Sequence, residues 1–93
     1  MSKCIFRCDR SGVFFGELVE RKGQDAKIKN VRKIFYWAGA ASLEQLAVDG
    51  TNRPNDCKFT VIVDEIEVLD LIQILPCTEK STQSIEGVKV WKL

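Results

Sequence analysis

The stretch Arg32-Lys-Ile-Phe-Tyr-Trp-Ala-Gly-Ala-Ala-Ser-Leu-Glu-Gln-Leu46 decides how the rest of the chain is interpreted. Two basic residues lead into an aromatic run, which is followed by small residues at 38–41. Small side chains let a ligand or another backbone segment approach closely. Ser42 is a typical helix N-cap, and Gln45 follows three residues later, where it can complete a capping box. The stretch therefore predicts the end of a strand, a site of close approach and the start of a short helix.

Alternating and β-branched runs on both sides of this stretch predict a sheet. The alternation breaks at Asn30, which predicts a β-bulge that re-aims the second half of the central strand. The absence of a βαβ rhythm favours an α+β fold, with a strongly bent antiparallel sheet or small barrel and two short helices. Strands are predicted over 3–8, 13–20, 26–37, 59–64 and 88–92, with 66–75 as a hairpin partner or bent continuation, and helices over 42–48 and 79–86.

The length of 93 residues predicts a single domain over residues 1–93, and a chain this short gains stability from forming a homo-oligomer. Fourteen basic and thirteen acidic residues leave a net charge of +1, which disfavours a protein that depends on non-specific phosphate contacts with nucleic acid. No apolar segment resembles a secretory signal or a membrane span. We therefore expect a cytoplasmic protein whose four cysteines are reduced thiols.

Histidine is absent from the chain. Its absence removes the commonest general base and any Ser-His or Cys-His nucleophile pair. Carboxylates, lysines or tyrosine still allow an enzyme, but the preferred prediction is a protein without catalytic residues.

Two groups of side chains offer metal ligands, and neither has the spacing of a known site. Cys4, Cys8, Cys57 and Cys77 contain no Cys-x-x-Cys pair, so small buried hydrophobic residues are the preferred interpretation. The acidic run 64–67 with Asp70 lacks the spacing of a calcium loop and is interpreted as a solvated turn. We predict no metal and no cofactor.

A ligand site is predicted at the opening stretch, because it alone combines an aromatic platform with converging polar groups. One aromatic ring would stack on a base, while the basic groups and the helix N-terminus bind a phosphate. The alternative interpretation places Ile34, Phe35 and Trp37 in the core and leaves the basic residues solvated. The predicted site residues are Arg32, Lys33, Tyr36, Trp37, Gly39 and Ser42.

The runs Gly12-Val-Phe-Phe-Gly-Glu-Leu18 and Lys29-Asn-Val-Arg-Lys-Ile-Phe-Tyr-Trp-Ala-Gly-Ala-Ala-Ser-Leu-Glu-Gln-Leu-Ala-Val-Asp-Gly50 resemble an uncharacterised family of small tailed-phage proteins, a domain of unknown function. The later runs at 57–59, 76–80 and 90–92 belong to the same resemblance. The resemblance supplies no catalytic residues. It implies a phage protein that counters host defences or redirects host machinery, and one such role is that of an oligomeric sponge that sequesters nucleotide immune signals. Separately, Gly16-Glu-Leu18, the turn at Gly23 and Ile28-Lys-Asn30 resemble the first half of Sm-like and SH3-like small barrels.

Three functional hypotheses follow. The first is a phage-encoded, non-enzymatic protein in the host cytoplasm that binds or sequesters a small anionic, nucleotide-like ligand. It predicts that Trp37→Ala or Arg32→Ala abolishes binding while the fold survives. The second is a module that docks on a host protein through a sheet edge and inhibits it. The third is RNA or single-stranded DNA binding, which the near-neutral charge disfavours.

Overall fold

The fold is given by a computed structural model, which describes residues 2–93. Six strands form: β1 (Cys4–Cys8), β2 (Val13–Lys22), β3 (Asp25–Tyr36), β4 (Lys58–Phe59), β5 (Val63–Val68) and β6 (Leu71–Pro76). The helices are α1 (Leu43–Asp49) and α2 (Glu79–Glu86), with a single 3-10 turn at Pro54–Asp56. None of these helices is long and apolar enough to cross a membrane.

The strands make one antiparallel sheet in the order β4-β3-β2-β1-β6, and β5 pairs with the first half of β3. Only Leu69 and Asp70 connect β5 to β6, although these strands lie at opposite edges of the sheet. The sheet must therefore bend strongly enough to bring its two edges together at that connection. Within residues 2–93 the two edges do not pair, so the barrel is not closed. The predicted α+β fold with a bent antiparallel sheet and two short helices is confirmed.

The predicted bulge lies where the sequence places it. Asn30 has a φ of 49°, a left-handed backbone conformation that asparagine tolerates better than most residues. The β2–β3 pairing gains one residue on β3 at this point, because Phe15 pairs with Arg32 but Glu17 pairs with Lys29. Gly16 faces the bulge, and a Cβ there would lie 2.9 Å from the carbonyl oxygen of Lys29. Glycine at this position therefore allows the two strands to approach.

Two layers of core result from the bend. One layer lies between the sheet and the helices: Ile5, Phe15, Ile34, Leu43, Leu46, Ala47, Cys57, Phe59, Leu75, Ile85 and Val88. The other lies inside the bend of the sheet: Phe6, Cys8, Ala26, Ile28, Val31, Val68 and Leu71. Because strand residues alternate between faces, β1 contributes Ile5 to the first layer and Phe6 to the second.

Both helices begin and end close to their predicted positions. Helix α2 spans the predicted residues, with the Thr78 hydroxyl accepting a hydrogen bond from Ser81 N at 3.0 Å and Gly87 following its last turn. Helix α1 is shifted by one residue and is followed by Gly50, whose φ is 77°. The capping signals in the sequence therefore located these elements correctly.

Three strand predictions are wrong. The run predicted over 66–75 as a hairpin partner or bent continuation is divided at Leu69 and Asp70, so that 66–68 end β5 and 71–75 lie in β6, and these two strands do not pair with each other. The strand predicted over 59–64 is interrupted, since the pairs Ile34–Phe59 and Val31–Val63 leave one extra residue on the edge. Residues 60–62 therefore separate β4 from β5. The strand predicted over 88–92 is reduced to one parallel bridge between Val90 and Phe59, because the adjacent β4 is only two residues long.

The acidic run is a strand and not the predicted turn. Residues 64–67 lie in β5, where Glu65 pairs with Lys29 and Glu67 with Lys27 across to β3. Asp70 follows in the connection to β6, and its carboxylate accepts bonds from Arg10 N at 2.6 Å, Ser11 N at 2.8 Å and the Ser11 hydroxyl at 2.6 Å. Asp70 therefore joins the β1–β2 turn to the β5–β6 connection.

Stability should depend on Asp70 with a defined pH profile. The Ser11 hydroxyl and then the two backbone N–H groups lower the pKa of Asp70 to about 2. Because the folded-state pKa lies below the unfolded value of about 3.9, its contribution is fully present above that value and is lost as the pH falls toward 2. Asp70→Asn should lower the urea midpoint at pH 7, and its difference from the parent should shrink between pH 4 and pH 2.

The matched control is Asp64→Asn, which removes the same charge from an exposed position on β5. If the urea midpoints of Asp70→Asn and the parent differed by the same amount at pH 4 and at pH 2, this role of Asp70 would be contradicted.

Candidate functional site

Arg32 is buried, with 3% of its surface exposed, and it lies between the sheet and the end of α2. Its guanidinium donates to the carbonyl oxygens of Thr60 (3.1 Å), Ile85 (3.2 Å), Val88 (3.0 Å) and Phe59 (3.3 Å). The carbonyl groups at the C-terminal end of a helix carry partial negative charge, which favours a cation there. Burial lowers the pKa of Arg32. Arg32 was predicted to contact a ligand, but its guanidinium instead joins the sheet to the end of α2 and to the segment after it.

Lys33 lies on the opposite face of β3 from Arg32, because successive strand residues point to opposite faces. It pairs with Phe14 on β2, and its Nζ is 5.8 Å from the centroid of the Phe14 ring. The two basic residues predicted to share one phosphate are thus on different sides of the sheet.

Trp37 and Gly39 support the loop between β3 and α1. Trp37 is half-buried and packs against the core layer beneath the helices. Gly39 has a φ of 82°, and a Cβ there would lie 2.5 Å from the backbone nitrogen of Arg53. Its carbonyl accepts a hydrogen bond from Asn52 N at 3.3 Å. Another backbone segment, and not a ligand, occupies the space that these small residues leave.

Ser42 caps α1, with its hydroxyl accepting a hydrogen bond from Gln45 N at 3.1 Å. The Gln45 side chain returns to Ala41 N at 2.7 Å, one residue before the position expected for a capping box. Ser42 and Gln45 therefore act as capping residues of α1.

Tyr36 lies on an exposed surface that the structure assembles from three segments, with about half of each aromatic side chain exposed: Phe35 57%, Tyr36 54% and Trp91 46%. The Phe35 and Trp91 rings stack with centroids 5.0 Å apart and an interplanar angle of 19°. Lys58 pairs with Tyr36 in the sheet, and its Nζ is 5.5 Å from the centroid of the Trp91 ring. We call Phe35, Tyr36, Lys58, Lys89, Trp91 and Lys92 the aromatic–lysine patch.

A second bulge explains why Phe35 faces outward. Ile34 pairs with Phe59 and Tyr36 pairs with Lys58, so Phe35 is the extra residue on β3. Trp91 is held beside it by its own backbone, because Trp91 N donates to the carbonyl oxygen of Phe59 at 2.9 Å. Both rings are therefore positioned by main-chain geometry.

A cleft of about 460 Å³ adjoins Trp91, one member of the stacked pair. Among residues 2–93 its lining includes no aspartate or glutamate: Pro54, Asn55, Cys57, Lys89, Val90, Trp91 and Lys92. The carboxylate of the neighbouring Asp56 is bound by Arg53, with Nη2 at 2.8 Å and Nε at 2.9 Å. The cleft is therefore positively charged although the whole chain is close to neutral.

The patch offers groups that can bind a planar anionic ligand. Exposed aromatic faces accept a planar ring, and lysines bind phosphate as point charges. Burial raises the pKa of Cys8 and of Cys77 to about 11, which keeps both sulfurs as weakly nucleophilic thiols. In the described part of the chain, no three His, Cys, Asp or Glu side chains are grouped as a set of metal ligands.

Sequence reasoning missed most of the aromatic–lysine patch. It included Tyr36 but left out Lys58 and the segment 89–92, and one of its interpretations placed Phe35 in the core. A signal was present, because the predicted strand over 88–92 placed Trp91 on the face opposite Val88 and Val90. An aromatic residue flanked by lysines on a solvent-facing side indicates a binding surface.

Comparison with known proteins gives a family but no activity. A family model described as a domain of unknown function, DUF6948, matches residues 1–85. No curated protein and no solved structure matches the chain.

Proposed function

The chain belongs to this family of unknown function, and we propose that it is a non-enzymatic protein that binds a small anionic, nucleotide-like ligand at the aromatic–lysine patch. The observation that carries the proposal is the stacked pair Phe35–Trp91 beside a cleft lined by two lysines and no acidic side chain of residues 2–93.

The dimensions of the patch support a ligand of this size. A cleft of about 460 Å³ lies within the range of small-molecule sites, roughly 300–1,000 Å³. Stacking on an exposed aromatic ring contributes about 1–3 kcal/mol per base. Because Phe35 and Trp91 already hold each other in place, little side-chain freedom is lost when a third ring is added.

The six residues predicted from the sequence take different parts in this proposal. Tyr36 lies in the aromatic–lysine patch beside Lys58. Four others make structural contacts near the patch and do not line it: Arg32, Trp37, Gly39 and Ser42. Lys33 lies on the face of β3 opposite Arg32.

The biological setting is also proposed. The resemblance to small phage proteins supports a phage-encoded protein that acts in the host cytoplasm, assembles as a homo-oligomer and sequesters a nucleotide-like defence signal. A sequestering protein needs binding without turnover, which agrees with the chemistry of the patch.

Trp91→Ala should abolish binding and leave the protein folded. The side chain is about half exposed, and the backbone bond to Phe59 does not depend on it. The measurement is a thermal-shift screen against mono-, di- and cyclic nucleotides and adenosine-diphosphate-ribose derivatives. A ligand at about 100 times its dissociation constant adds roughly 2.7 kcal/mol of stability, which raises the Tm by several degrees.

The matched control is Ile72→Ala, an exposed apolar residue on β6, which should keep the full shift. Recovery of chemically intact ligand after denaturation would support binding without catalysis. A panel in which no nucleotide shifts the Tm of the parent protein would refute the proposal.

A docking module for a host protein is the second candidate, and one observation favours it. Val61 and Ile62 are exposed in the interruption between β4 and β5, and Val63 is exposed at the start of β5, all at a sheet edge. Adjacent exposed apolar side chains at an edge are typical of protein-binding surfaces. This candidate predicts a stoichiometric host partner whose binding is lost in Ile62→Asp and kept in Trp91→Ala.

A further inference from the structure

The charge pattern around Trp91 indicates more than one anionic group on the ligand. Resting on the function proposed above, we infer that the ligand carries at least two phosphate groups in addition to a base. The inference follows from the position of three lysines relative to a single ring: Lys58, Lys89 and Lys92.

These three lysines lack acidic partners in the part of the chain that the structure describes. Lys22, Lys29 and Lys33 also have no carboxylate within 4 Å among the described residues, so what distinguishes Lys58, Lys89 and Lys92 is their shared position around the Trp91 ring. Cations that converge without partners repel one another, and an anion placed among them removes that repulsion.

The three lysines also occupy two different places. Lys89 and Lys92 line the cleft with Trp91. Lys58 does not line the cleft and lies over the Trp91 ring, with its Nζ 5.5 Å from the ring centroid. Because Lys58 lies outside the cleft, a lone phosphate bound by Lys89 and Lys92 would leave it unneutralised, and a second phosphate would neutralise it.

Two kinds of nucleotide share this chemistry. One is a nucleoside di- or triphosphate, whose phosphates form a single chain. The other is a dinucleotide, whose two phosphates are separated by sugars and whose second base can stack on Phe35, 57% of which is exposed. The experiment below includes both.

Titration calorimetry of the intact chain with AMP, ADP, ATP and a cyclic diadenylate tests the inference. We expect the best of the polyphosphate or dinucleotide ligands to bind at least about tenfold more tightly than AMP, a factor that corresponds to about 1.4 kcal/mol. Lys58→Gln should reduce this preference to about threefold or less with the Tm of the free protein unchanged. Lys22→Gln, which removes an equal charge from an exposed site at the far end of β2, should keep the preference.

Each other outcome has a distinct meaning. If AMP binds as tightly as the other ligands, the two-phosphate inference is wrong while the proposed nucleotide site stands. If none of the four binds, the proposed function itself fails. If an eight-residue single-stranded oligonucleotide binds more than about a hundredfold tighter than the dinucleotide, the ligand is a nucleic acid strand and the inference of a small ligand is overturned.

Discussion

Replacing Arg32 with methionine is expected to lower the free energy of unfolding by about 2–4 kcal/mol, because four carbonyl oxygens lose a shared charged donor. Methionine fills a similar length of apolar space but donates no hydrogen bond. Removing a buried charge also removes its desolvation cost, so the net loss is smaller than the sum of four charged hydrogen bonds. The effect is still large for a chain of this length.

The measurement is a urea unfolding curve at neutral pH, which gives the midpoint and the dependence of the free energy of unfolding on urea concentration. Arg32→Lys should recover only part of the loss, since a single ammonium cannot reach all the carbonyl groups that the planar guanidinium spans. Lys27→Ala, which removes a partly exposed cation and its surface ion pair with Glu20 from the same strand, should cost less than about 1 kcal/mol. If the Arg32→Met protein were as stable as the parent but no longer bound the ligand, Arg32 would be a binding residue and its structural role would be contradicted.

Phe59→Ala is expected to cost about 3–5 kcal/mol, the usual range when a fully buried phenylalanine is truncated. Phe59 has no exposed surface, pairs with Ile34 on β3 and forms a bridge with Val90. The centroid of its ring lies 5.4 Å from the guanidinium carbon of Arg32. Its truncation should leave a cavity at the junction of the sheet with the C-terminal segment. Binding at Trp91 should weaken as well, because the segment that positions Trp91 is attached there.

Phe35→Ala is the matched comparison, since it removes the same side chain from an exposed position directly after Ile34, the residue that pairs with Phe59. We expect it to cost less than about 1 kcal/mol and to weaken nucleotide binding through loss of the stack. If both variants were equally stable, the assignment of Phe59 to the core and Phe35 to the surface would be wrong.

Local signals in the sequence predicted the elements whose causes are local. Thr78 and Gly87 delimit α2 through capping interactions that span only a few residues. The bulge at Asn30 was visible as a break in alternation within one strand. Both features depend on neighbours in the chain, so a pattern within a short window was sufficient.

The candidate site could be predicted only in part, because its causes are distant in the chain. Arg32 appeared to be a surface cation, and nothing near it shows that the carbonyl groups of Ile85 and Val88 lie against it. The outward turn of Phe35 depends on its bulged pairing with β4. The stack with Trp91 then joins residues that are more than fifty positions apart.

A titration of the isotope-labelled protein with ADP, followed by amide and indole NMR signals, tests the location of the binding site directly. The chain has two tryptophans, so the indole signals of Trp37 and Trp91 can be assigned with a single Trp37→Phe variant. We predict progressive shifts at the Trp91 indole and at the amides of Phe35 and Lys58, with the Trp37 indole little changed. Shifts concentrated at Gly39 and Ser42 with Trp91 unmoved would contradict the aromatic–lysine patch as the binding site.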